Sequence, residues 1–419
     1  MLNKLILGTL LGLLVIAAIP YGTVEPWWKA AFVCAVFVIC ILAIIDRFAI
    51  DRASILLPMM ALSVLAFVQT LSLGSQQVAG IAVWNTISAD PFQTRFFALQ
   101  ILALTAWLAL LYRYASSESR IRILVYTILA IAVVSAVFGI LRQATQHETG
   151  FLLPLLRQNQ GYGQFVNKNH FAYLMEMAFG LGIGMAIASR QKRERLLVYV
   201  ALLLPIWTAL VLSNSRGGIL AMLVQIVSAG LLLSSRSLSV VRAMLLVVLV
   251  AGVLLGTLWV GGDRLASNFE NATRELSPSE AAGVSRNEIW RASLKMFAAH
   301  PITGVGLGGY WIGITAYHDA SGLMTPQEAH NDYLELLSSG GVIGFAIGVW
   351  FAAVVIREAR RNFSLDGSSY LRLGAILGII GVAAHSLVDF GLHILINAIV
   401  FLSLIMIATN RSNNAHAIH

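Results

Sequence analysis

The stretch Glu328 to Phe345 reads EAHNDYLELLSSGGVIGF, with a histidine, two acids and an asparagine ahead of a long apolar run. An imidazole is the usual group for taking a proton from a hydroxyl near neutral pH, so His330 is a candidate general base. Three guanidiniums accompany it: Arg216 in SNSRGG, and Arg286 and Arg291 in SRNEIWRASLK. Their planar forks suit bidentate contact with phosphate oxygens, and their charge persists at any physiological pH. A base beside an anion cradle points to group transfer from a phosphate-bearing donor, with a diphosphate as the obvious guest. The neighbouring cations would keep the imidazole uncharged and ready. Plainer readings exist, because a histidine at a membrane interface is commonly a hydrogen-bonded belt residue and an exposed arginine commonly caps a helix or pairs with an acid such as Glu275 or Glu288. Arg216 is the strongest of the three, wedged between Asn214 and Gly217 in a turn too short to be mere solvated surface.

Two further clusters carry polar groups. In QGYGQFVNKNHFAYLMEM, Asn169, Tyr173 and Glu176 share one helix face, with His170 beside them, and Glu176 stands about two turns into an apolar run. An ionisable residue at that depth is a functional candidate or half of a buried pair. Asp332 follows His330 closely enough to support it. In HSLVDFGLH, His385, Asp389 and His393 recur every fourth residue. Two histidines and one acid are a weak zinc signature, and the turn at Gly391 separates them, so a structural role is preferred. The chain holds no H-E-x-x-H, no G-x-S-x-G, no P-loop and no D-x-D pair. That disfavours metal-dependent and nucleotide-hydrolysing chemistry, and no cofactor is expected.

These residues must be positioned by membrane helices, since 58% of the chain is apolar and only 11% charged, with a positive mean hydropathy. Apolar runs fall near 3–20, 27–45, 53–72, 95–112, 123–141, 169–188, 196–213, 218–234, 243–260, 331–356, 373–388 and 392–409. The expectation is an all-α, single polytopic membrane domain over 1–419 with about twelve spans. The first run reads as a retained helix rather than a cleaved signal, for no A-x-A site follows it. The basic loops RQKRER and REARRNF place both termini in the cytoplasm by the positive-inside rule. Segments 73–94, 142–168 and the largest, 261–330, then lie outside with the candidate site. In that large loop the residues from Glu288 to Ala299 have a helical pattern that Pro301 stops, and GVGLGGY reads as a tight turn back to the membrane. Cys34 and Cys40 face different sides of one helix and are packing residues, not a disulfide. The net charge of +8 follows from the inner loops and gives no reason to expect nucleic acid.

Five stretches in order, FVNKNHFAYLMEM, SNSRGG, SRNEIWRASLKMFAAHPITGVGLGGYW, AHNDYLELLSSGGVIG and HSLVDFGLHILINA, resemble the bacterial O-antigen ligase and O-antigen polymerase superfamily. The resemblance spans roughly 160–400. The chain departs from the family where HSLVDF is commonly followed by an asparagine and a proline, replaced here by Gly391 and Ile394. What the resemblance implies is a metal-independent, inverting glycosyltransferase of the bacterial inner membrane with a GT-C-like fold. Its donor would be a glycan on undecaprenyl diphosphate at the periplasmic leaflet. Its acceptor would be a lipid-linked glycan for a polymerase, or lipid A-core for a ligase. Carried over, His330 matches the family histidine that activates the acceptor, and Arg216 and Arg286 match the arginines that hold the diphosphate. Arg291 rests on the reading of the loop helix alone. The HSLVDF-type tail leans the expectation towards polymerase. A flippase or other transporter remains as a third class, and it would require a cation-lined path through the bilayer.

Overall fold

The computed structural model describes residues 2–19, 21–46, 52–78, 81–145, 149–150, 153–157, 161–188, 193–234, 286–318, 326–362 and 369–410. Eleven of the twelve apolar runs fall on described helices, and the run near 243–260 and the first part of the large loop lie outside the described residues. The bundle comprises α1 (Leu2–Ala18), α2 (Pro26–Ile45), α3 (Ala53–Gln69), α4 (Pro91–Tyr114), α5 (Glu118–Thr145), α6 (Lys168–Ala188), α7 (Arg193–Leu212) and α8 (Arg216–Ser234). After the loop helix α9 (Arg286–Ala299) come α10 (Asp332–Asn362), α11 (Ser369–His385) and α12 (Leu395–Thr409). Six of these helices are long and apolar enough to cross a membrane, and α1, α3, α8, α11 and α12 are shorter apolar helices. The chain is thus a predominantly helical, multi-pass membrane protein.

Two antiparallel hairpins amend the all-α expectation: β1 (Ser72–Val78) with β2 (Ile81–Thr86), and β3 (Thr149–Gly150) with β4 (Leu153–Arg157). Both fall in segments placed outside the membrane by charge. The residues SLGSQQV and IAVWNT have no 3.6-residue apolar period to hold a helix, and their β-branched residues suit a ladder.

Close helix packing at the centre decides what meets at the site. Helix α6 crosses α11 through Gly180 and Gly184 on one side and Gly374 and Gly378 on the other. A Cβ at Gly180 would lie 2.5 Å from the Gly378 nitrogen, and one at Gly184 would lie 2.4 Å from the Tyr370 carbonyl. Small residues four apart let two backbones approach, which is how membrane helices gain dispersion contact without a hydrophobic driving force. Gly180→Ala is therefore expected to force the helices apart at a cost of about 1–3 kcal/mol, read as a lower thermal midpoint in detergent. An unchanged midpoint would show that the contact is not tight.

Helix α10 is broken at Gly341, whose φ of 62° and ψ of −165° are non-helical. The glycine-rich segment of the large loop fills the break. Val342 N–H donates to the Pro301 carbonyl at 2.8 Å, and the N–H groups of Val305 and Gly306 donate to the carbonyls of Ser338 and Ser339 at 3.2 and 2.9 Å. Gln69, at the end of α3, clamps the same segment by donating to Thr303 at 2.7 Å and accepting from Leu307 N–H at 3.0 Å. The expected tight turn after Pro301 is present, and it docks against a helix break rather than merely reversing direction. At the opposite end of the bundle, Arg52 pairs with Glu358 at 2.7 Å, with Arg357 and Arg361 each 3.4 Å from the same carboxyl group. The basic, inner-type residues thus gather away from the hairpins.

Candidate active site

At the hairpin end, the first turn of α6 carries Asn169, whose amide donates to Asp389 in the turn between α11 and α12. The carbonyl oxygen of the same side chain accepts from Ser215 Oγ at 2.9 Å. Ser215 also accepts from Gly218 N–H at 3.2 Å, making it the N-cap of α8 and fixing Arg216 as the first helical residue. Asn214 before it has a φ of 53°, the left-handed conformation that a bend this tight requires. Arg216 thus stands exposed at a helix N-terminus, where the helix dipole adds to its own positive charge.

Asp389 is the hub. Its side chain is only 1% exposed, yet Arg286 Nη2 lies 3.7 Å from Oδ2 and His330 Nδ1 lies 3.7 Å from Oδ1. Phe390 N–H donates to Oδ1 at 2.9 Å. Burial alone would raise this carboxyl, but the imidazoles of His330 and His170 and the Phe390 N–H outweigh it and hold Asp389 at about 2. It is an anion at any physiological pH, and it holds one guanidinium and one imidazole within ion-pair range.

His330 is held from several sides. Trp290 of α9 donates its indole N–H to the Ala329 carbonyl at 3.0 Å, and Ala329 N–H donates to Glu335 at 2.8 Å. Asn331 donates to the Leu387 carbonyl at 2.9 Å, and Asp332 N–H donates to the Ser386 carbonyl at 3.0 Å. The backbone of His330 itself is left-handed, with a φ of 50°. Strain of this kind persists only where the surroundings over-determine it, and it is concentrated at functional positions. The ring is 32% exposed and packs edge-on against Phe390 at 4.8 Å. Trp290→Phe keeps an aromatic side chain but removes the N–H donor, so any reaction that uses His330 as its base is expected to slow by about five- to tenfold. A variant with wild-type turnover would remove Trp290 from the positioning role.

The structure therefore brings His330, Arg286 and Asn169 around one carboxylate, with Arg216 one hydrogen-bonded step away through Ser215. Arg291 lies on an exposed face of α9 and makes none of these contacts. His170 is buried against Phe390 at 4.8 Å. Glu176 sits deeper and pairs with His385 at 2.9 Å, while Tyr173 stacks on His385 at 4.1 Å, so the shared face of α6 runs along α11. Asp332 accepts from Ser386 Oγ at 2.6 Å and lies 3.7 Å from His393. His385, Asp389 and His393 thus face three different sets of partners. Sequence reasoning passed over Ser215, Trp290 and Glu335, and it gave Asp389 a structural role rather than a place in the site. The available signal for Asp389 was an acid in a short outer turn, at the end of a four-residue step from His385.

Residues 200–349 match the family model Wzy_C, described as O-antigen ligase. No curated protein matches the chain. The matched stretch contains Arg216, Arg286, Arg291 and His330, and it includes the break in α10 at Gly341. It bears out the resemblance to the O-antigen ligase/polymerase superfamily, and it supports a ligase- or polymerase-type function, a glycosyltransferase-like enzyme acting on lipid-linked glycans. Asn169 and Asp389 lie outside the match.

Proposed function

We propose that the protein is a metal-independent, inverting glycosyltransferase that moves a glycan from undecaprenyl diphosphate to an acceptor hydroxyl at the periplasmic face of the inner membrane. The observation that carries this reading is the convergence of His330 and Arg286 on buried Asp389, with Arg216 tied to it through Ser215 and Asn169. The acceptor hydroxyl gives its proton to His330 as its oxygen attacks the anomeric carbon. The bond from that carbon to the diphosphate breaks from the opposite face, and its electron pair leaves with undecaprenyl diphosphate. Arg216 at the start of α8 and Arg286 on α9 meet the growing negative charge and stabilise it more in the transition state than in the ground state. Asp389 steadies the imidazolium formed on His330 and holds Arg286 in place.

The periplasmic assignment is supported by the basic cluster of Arg52, Arg357 and Arg361 at the opposite end of the bundle. Polymerase is the leading reading, with a lipid-linked repeat unit as acceptor, and the HSLVDF-type turn supports it. Ligation to lipid A-core is the second, favoured by the match to an O-antigen ligase family. A transporter fits less well, because the arginines and His330 gather at one end of the bundle rather than along a path through it.

Purified protein incubated with an undecaprenyl-diphosphate oligosaccharide alone is expected to give a ladder of longer lipid-linked glycans, unaffected by EDTA. Transfer only after addition of lipid A-core would establish the ligase instead. Loss of activity with EDTA would overturn the metal-free mechanism, and absence of transfer in both assays would overturn the enzyme reading.

A further inference from the structure

Beside the candidate active site lies a cleft of about 200 Å³, bounded by the first turns of α2 and α4, the loop stretch from Leu307 to Trp311 and the segment leading into α10. Its chemistry differs from that of the arginine side. Phe97 and Trp311 offer aromatic faces, Gln93 and Gln100 offer amides, and Glu328 and Glu335 offer carboxyl groups. Trp311 is 42% exposed, and its indole N–H donates to Asp90 at 3.1 Å, so the ring is held in position at the cleft wall.

Flat apolar rings beside planar polar groups match a sugar, which presents C–H faces for stacking and hydroxyls that both donate and accept. Lys29 and His393 line the same cleft as the two carboxyl groups, so its charges largely offset one another, and no guanidinium among the lining residues is there to fork a diphosphate. The cleft also adjoins the base. Glu335 holds the N–H of Ala329, the residue before His330, and His393 on the cleft wall shares Phe390 with His330 at ring distances of 5.9 and 4.8 Å. We infer that this cleft is the acceptor subsite and that it takes an uncharged sugar ring, leaving the diphosphate to Arg216 and Arg286. The assignment of the ring as acceptor rests on the transfer reading above, whereas sugar binding itself does not.

The test is calorimetric titration of the full chain in lipid nanodiscs with two lipid-free probes, the repeat-unit oligosaccharide released from the lipid-linked donor by mild acid and the core oligosaccharide. One of them is expected to bind the wild type. Gln100→Ala and Trp311→Ala are expected to weaken that binding by about five- to tenfold, the equivalent of one lost polar or stacking contact, with Trp311→Phe close to wild type as a folding control. Arg216→Ala should leave it unchanged, since neither probe carries a diphosphate. Failure of both probes to bind, binding indifferent to Gln100→Ala and Trp311→Ala, or binding lost with Arg216→Ala would each overturn the assignment. Donor turnover without glycan binding would sink the cleft alone, and glycan binding without turnover would sink the transfer reading alone.

Discussion

His330→Ala is expected to lower the rate of glycan transfer by about 10²–10⁴-fold, the usual contribution of a positioned general base. Donor affinity should stay within about twofold of wild type, because the loss is of an interaction made only as the proton moves. The surroundings justify so specific an effect. Trp290, Glu335, Asn331 and Asp332 fix the backbone on both sides of the histidine, so removing the imidazole leaves the turn in place. His330→Gln keeps a side chain of related size and polarity and should be as slow as the alanine variant. Near-normal transfer by either variant, measured in single-turnover conditions, would remove His330 from the chemistry.

Asp389→Asn is expected to be nearly as damaging, by about 10²-fold in transfer, although this residue touches no substrate in the proposed mechanism. The change removes the anion that faces His330 and Arg286 while preserving shape and one acceptor oxygen. It also has a signature in stability. The Asp389 carboxyl lies at about 2 against an ordinary 3.8, so the folded state binds its proton less readily than the unfolded chain does. The corresponding stabilisation, about 2 kcal/mol, is fully present above about pH 4 and is lost as pH falls from there through about 2. Wild-type protein should therefore lose thermal stability across that window, and the asparagine variant should start lower at neutral pH and vary less. Parallel acid profiles for the two proteins would contradict the hub role.

The helices were legible in the sequence because each apolar run is long enough to demand burial or lipid, whatever its neighbours do. The break at Gly341 was not, since the stretch SSGG interrupts the apolar run without fixing where the backbone leaves the helix, and the docked Pro301 segment decides it. The hub at Asp389 was hidden for a related reason. Its link to Asn169 crosses a large separation in sequence and depends on how Gly180 and Gly184 let α6 settle against α11, a packing choice that no local pattern records. His330 and Arg216 could be read from residue type and from the turns that hold them, and Arg286 from residue type alone. Arg291 could have been separated from Arg286 by geometry alone, because five residues along a helix turn the side chain about 140° away.

The proposed mechanism divides the labour, with the guanidiniums holding the diphosphate and His330 moving the proton. Equilibrium binding of undecaprenyl diphosphate to purified wild type, His330→Ala, and the Arg216→Ala Arg286→Ala double variant tests it most directly. Wild-type affinity is expected for His330→Ala, and a loss of at least about 10²-fold for the double variant, each charge-assisted contact contributing about 1.5–3 kcal/mol. Undiminished binding by the double variant would contradict it, and so would a comparable loss in His330→Ala.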